Sequence, residues 1–217
     1  MMSTTNLSEC TGHSKQRWHV GLCTSVVSIV ACAMLSACAT PQSYVDPQYH
    51  KATYSQIQPV VPPIPVKIDV QFQVNGQPKP EVNAQLRSSV ERALTATRVF
   101  IPSTDPASTA VIDVIANNEA DTAAARSSGF KTGITFYGSG STVTDGYRFT
   151  FTYRDASGQN RQKNYVHAIH TTIGRVSSLP VDNIEPTTLA LAFDKVVEDV
   201  TLNFIKNLQE EGAISKP

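Results

Sequence analysis

His167 and His170, in the stretch Tyr165-Val166-His167-Ala168-Ile169-His170, are two of the three histidines beyond residue 38. On a helix this spacing would set both imidazoles on one side, where they could share a metal or relay a proton. The surrounding Tyr165, Val166, Ile169, Thr171 and Thr172 favour a strand instead, and on a strand positions 167 and 170 point to opposite faces. A paired metal site then fails, and no cysteine or acidic partner lies at ligand spacing. One packed and one exposed histidine is expected, with no metal.

The other chemistry-bearing stretches are weaker. Residues 137–146, YGSGSTVTDG, are glycine-rich but lack the Gly-Lys-Ser/Thr ending of a phosphate cradle. Ser139 is not in a nucleophile elbow, because Tyr137 and Ser141 stand where glycines would. The segment reads as a hairpin connection. Asp145 with either histidine and a serine makes a triad on paper, as it would in almost any chain of this length. The adjacent acids Glu198 and Asp199, and Glu210 and Glu211, fit the solvated flank of a helix. Arg148, Thr150, Thr152 and Arg154 alternate with aromatic residues and form a polar row that could meet an anionic group through charge-assisted hydrogen bonds.

Positioning these residues takes a small set of elements. Val66, Ile68, Val70, Phe72 and Val74 alternate with Lys67, Asp69, Gln71 and Gln73, the period of a half-buried strand that Asn75-Gly76 ends. From Glu81 to Phe100, Val82, Leu86, Val90, Ala93 and Leu94 recur at helical spacing behind Pro78 and Pro80. Residues 109–116 read as a strand, 133–138 and 147–155 as a hairpin, and 162–172 as a further strand. A last helix over about 188–211 carries Leu189, Phe193, Val196, Val197, Val200, Phe204 and Leu208 on one stripe. Strands with one wet face and two amphipathic helices predict an α+β two-layer sandwich. Its sheet would be mixed or mostly antiparallel, of 4–5 strands, with both helices on one face.

The start of the chain is informative in another way. Lys15 and Arg17 precede an uncharged apolar run of 15 residues, Val20 to Met34, and Leu35-Ser36-Ala37-Cys38 follows. The run is short for a membrane span of about 20 residues and has the layout of an export signal. Leu35, Ser36, Ala37 and Cys38 resemble the lipobox of bacterial lipoproteins at all four positions. The resemblance implies cleavage before Cys38, a diacylglyceryl group on its thiol and an acyl group on its new amine. Ala39 stands where that family's inner-membrane retention signal has Asp, so it implies the outer membrane, on its periplasmic side. Cys10, Cys23 and Cys32 all precede Cys38, so residues 38–217 can hold no disulfide framework. Two or more acyl chains hold a protein to a bilayer firmly, at about 0.8 kcal/mol per buried CH₂.

Of 18 basic and 18 acidic residues, Lys15, Arg17 and Glu9 lie before Cys38, so the body is near neutral. No basic stripe points to nucleic acid. Six prolines between Ala39 and Pro65 read as a spacer, about 30 Å as a coil and up to about 80 Å as polyproline II. In the rival reading, the part bearing Tyr44, Tyr49 and Tyr54 packs back on the domain. The organisation expected is thus 1–37 signal, 38–65 tether, 66–212 domain and 213–217 tail. The order of elements behind the lipobox resembles the lipopolysaccharide-assembly lipoprotein of the outer membrane, a likeness of topology that carries little function. The functional expectation is a non-enzymatic, membrane-anchored protein without cofactor that binds or supports another envelope component. Arg148, Arg154 and His167 are its candidate contacts with a protein or an anionic partner. The rivals are an envelope hydrolase using His167 or His170, and a carrier of a lipid or apolar ligand between sheet and helices.

Overall fold

The computed structural model describes residues 41–105, 107–108, 110–119, 135–137, 140–174 and 184–214. The expected signal segment with Cys38, and Ser139 in the glycine-rich stretch, lie outside the described residues. Strands run at β1 Gln42–Val45, β2 Ile64–Val74, β3 Gln77–Pro78, β4 Phe100–Pro102, β5 Val111–Glu119, β6 Thr135–Tyr137, β7 Gly140–Arg154 and β8 Asn160–Gly174. The helices are α1, Asn83–Thr97, and α2, Leu189–Glu210.

The sheet follows the order β1-β8-β7-β5-β2-β3, with β4 beside β2 and β6 beside β7. The β2–β5 and β2–β4 pairs are parallel and the others antiparallel. A mixed, mostly antiparallel sheet is therefore correct, but 4–5 strands is too few: β1, β3 and β4 were not expected. Each is short, with too few residues to show a period. The stretch 140–146, expected as a hairpin connection, is the first half of β7 and pairs with residues 168–174 of β8. Its β-branched Thr142, Val143 and Thr144 suit a strand and override the flanking glycines.

Alternation decides the layers. Val66, Ile68 and Phe72 on β2, Ile112, Val114 and Ala116 on β5, and Tyr147, Phe149, Phe151 and Tyr153 on β7 are all buried on one face. Both helices cover that face: on α2, Phe193 meets Phe72 edge-on at 5.7 Å and Phe204 lies 4.9 Å from Phe151, and Leu86, Val90 and Leu94 of α1 join the same buried core. The helices also touch each other, through Ser89 Oγ donating to Asp194 Oδ1 at 2.6 Å. α1 stops at Thr97, short of the expected Phe100, because Arg98 takes a left-handed φ of 57° and Phe100 joins β4. At the β2–β3 turn, Asn75 and Gly76 have φ of 50° and 79°, the pair of positive values that a tight hairpin needs.

The largest correction concerns residues 41–65. They are not a free spacer. β1 pairs with β8, and Tyr44, Ala52 and Ile57 are buried. The segment crosses α2, where two buried amides serve its backbone. Asn203 accepts from Ala52 N at 2.7 Å and donates to His50 O at 2.7 Å. Gln209 accepts from Gln58 N at 3.0 Å and donates to Gln58 O at 2.6 Å. At the other end Ile214 is buried, so the expected tail from residue 213 is partly packed.

Candidate functional site

α2 is held between the sheet on one side and the crossing segment on the other, so its burial is wider than one apolar stripe. Asp199, expected on a solvated flank, is 2 % exposed. Across from it on β8 is His167, 1 % exposed. Ala168 N–H donates to His167 Nδ1 at 3.0 Å, and His167 Nε2 lies 3.7 Å from Asp199 Oδ2. The other carboxylate oxygen, Oδ1, faces Lys195 Nζ at 3.3 Å, one helical turn earlier. Lys195 also reaches Glu198 Oε2 at 3.1 Å. The Tyr49 ring lies over His167, centroid to centroid 5.0 Å. A buried carboxylate is tolerated only when paired, and this one is paired twice.

Burial pushes the Asp199 carboxyl up, but His167 and Lys195 outweigh it and hold the group below its ordinary value. Burial likewise lowers Lys195, and Asp199 and Glu198 more than reverse this, raising it. Burial, aided by the Asp46 charge, raises Tyr49. Tyr54 is pushed up to about 12 by burial and its bond to Glu198. Beside this cluster opens a cleft of about 390 Å³, between Val45 at the end of β1 with Pro47 and Tyr49 after it, and Leu191 and Lys195 of α2, with Asp199 on its wall.

His170 points to the opposite face, as its strand position requires. Its Nδ1 lies 2.8 Å from Thr144 Oγ1 and its Nε2 3.2 Å from Asp46 Oδ2. The side chains of His170 and Asp46 are 12 % and 10 % exposed. This Thr-His-Asp set joins β7, β8 and the turn after β1. Asp145 takes no part: it is bonded by Asn118 Nδ2 at 3.5 Å, and burial, only partly offset by that bond, raises its carboxyl.

The arginine row lies on the face away from the helices, but the acids of β5 meet it. Arg148 Nε donates to Glu119 Oε1 at 2.9 Å, and Arg154 Nη2 is 3.5 Å from Asp113 Oδ2. An anionic ligand would have to displace those carboxylates. His167, expected as a partner contact, is enclosed by α2 and Tyr49 and does not reach the surface. Among the described residues no group of three His, Cys, Asp or Glu could hold a metal ion. No helix among them is long and apolar enough to cross a membrane.

Asp46 and Thr144 carry no signal in the sequence, because they meet His170 only through the β1–β8 and β7–β8 pairings, whereas Lys195 stands one helical turn before Asp199. One signal was present: a lone acid, Asp199, stands between Val196, Val197 and Val200 on the apolar side of a helix.

No family model and no curated protein matches the chain. Among solved structures, a minor lipoprotein from Acinetobacter baumannii aligns at 13 % identity and a TM-score of 0.41, over 71 % of this chain and 96 % of that one. A neuraminyllactose-binding hemagglutinin homologue from Helicobacter pylori aligns at 12 % and 0.42, over 75 % and 94 %. The rare lipoprotein B from Shewanella oneidensis aligns at 9 % and 0.33, over 69 % and 93 %. At such scores and identities no role passes from those proteins to this one.

Proposed function

We propose that this chain is a lipid-anchored protein of the bacterial cell envelope, without enzymatic activity, whose domain binds or supports another envelope component. The observation that carries the reading is the lipobox-like Leu35-Ser36-Ala37-Cys38, which ends only a few residues before the first strand of the domain at Gln42. An anchor there leaves the body of the domain to the periplasmic side of the outer membrane. The cleft beside Tyr49 and Leu191 is the better candidate contact than the arginine row, whose charges are already matched. Replacing Cys38 by Ser tests the anchor: mature-sized protein should move from the envelope to the soluble fraction. Retention of the variant in the envelope would refute it. Cross-linking in intact cells tests the partner, and recovery of no envelope component would remove that half.

The Thr144–His170–Asp46 set favours a second reading, hydrolysis of an envelope ester or amide. Thr144 lies within a strand rather than on a sharp turn that would lift it toward a substrate. Thr144→Val should leave function intact under the binding reading and abolish it under the hydrolase reading. Leu86, Ile112, Phe149, Phe151 and Phe204 fill the middle of the region between sheet and helices, so a carried apolar ligand would have the cleft beside Tyr49 as its place.

A further inference from the structure

The position of the first folded residues limits how the domain can face its membrane. Pro41 is three residues from Cys38, and an extended chain covers at most about 3.6 Å per residue, so a lipid group on Cys38 would be tied to Pro41 by at most about 11 Å of backbone. Gln42 pairs with Thr172, and Ser43 exchanges two backbone hydrogen bonds with Thr187, each 2.9 Å. The described chain therefore starts at the end of the domain where β8 finishes and α2 begins, and a lipid anchor on Cys38 would be tethered there.

That end carries exposed apolar side chains. Ile173 is 46 % exposed, Leu189 48 % and Leu191 59 %. Ile173 follows the residue paired to Gln42, and Leu189 lies two residues past the bridge to Ser43. Single exposed apolar residues mean little, but Ile173 and Leu189 flank the start of β1 from its two neighbours, whereas Leu191, two residues on along the helix, turns to the cleft beside Tyr49. Val61 and Ile101 are also exposed, yet they lie at the opposite end, where β2 begins and β4 pairs with it. The β8 strand between the two ends, Asn160–Gly174, spans about 45 Å, beyond the reach of the anchor.

We propose that the end of the domain bearing Ile173 and Leu189 rests on the bilayer that holds Cys38, with these two side chains in its headgroup region. The proposal rests on the lipid-anchor reading and adds an orientation to it. A contact this small would not bind a free protein, but a tether of three residues keeps the patch at high local concentration. The end with Val61 and Ile101 then points away from the membrane.

Cys38 is the only cysteine from residue 38 onward, and acylation blocks its thiol, so an introduced cysteine can be labelled alone. The acylated protein with Ile173→Cys, Leu189→Cys or Val61→Cys, labelled with bimane, is reconstituted into phosphatidylethanolamine–phosphatidylglycerol vesicles containing doxyl-labelled lipid. Quenching at 173 and 189 should exceed that at 61 severalfold. Flotation with the vesicles but equal quenching at all three positions would overturn the orientation and leave the anchor standing. Failure to float would overturn both. Labels at 173 and 189 shielded from doxyl lipid and from aqueous iodide alike would put a protein on the patch, and would also overturn the proposal.

Discussion

Tyr44→Ala separates a structural strap from a spacer. Tyr44 is 1 % exposed, on a strand that would have no partner if residues 41–65 were a free tether. A buried aromatic side chain removes about 200 Å² from water, and at about 25 cal/mol per Å² that is roughly 5 kcal/mol, an upper bound because the unfolded chain already buries up to about 40 % of such surface. The hydroxyl contributes little net: its one bond, to Gln42 Oε1 at 3.1 Å, is only part-buried. A loss of about 3 kcal/mol is therefore expected, at the lower edge of measured aromatic-to-alanine costs. With an m-value of about 2 kcal/mol/M, the urea midpoint should fall by about 1.5 M. The assay is equilibrium unfolding of a soluble form starting at Ala39, followed by circular dichroism, because the only tryptophan, Trp18, is absent from it. Val61→Ala is the control in the same stretch: at 85 % exposure it should change stability by less than about 0.5 kcal/mol. Equal midpoints for Tyr44→Ala and the parent would refute the packed segment and restore the tether.

Asn203→Ala leaves Ala52 N–H and His50 C=O without their partner, so it should cost about 2 kcal/mol and lower Tm in a thermal melt; an unchanged Tm contradicts the assignment. Asp199 is held below its ordinary 3.8, so its contribution is complete above that pH and is lost as pH falls through the lowered folded value. Asp199→Asn should accordingly be less stable at neutral pH and lose less on acidification, read as urea midpoints from pH 7 downward; parallel acid limbs would contradict this. The exposed Arg154–Asp113 pair should matter little, with Arg154→Ala changing stability by less than about 1 kcal/mol in the same urea assay.

The two-layer arrangement was legible because β2, β7 and α2 each repeat one period over many residues. β1 was not, since four residues between prolines carry no period, and its pairing with β8 joins positions 128 residues apart. Most later discrepancies follow from that one strand. With β1 and its following segment laid over α2, Asp199, Asn203 and Gln209 become buried, although their polarity marks them as surface residues. His167 and His170 were placed on opposite faces by strand geometry alone, and they are. Which of them would be enclosed depended on where α2 lies, and the arginine row's partners depended on the β5–β7 register. Neither can be read from the strand's own residues.

The most direct measurement of the central claim is the intact mass of the protein extracted from envelopes, with its N-terminal peptide sequenced by tandem mass spectrometry. The account predicts a chain that begins at Cys38 and carries diacylglyceryl and acyl groups on that residue. A chain that retains residues before Cys38, or one that begins there with an unmodified thiol, would contradict it.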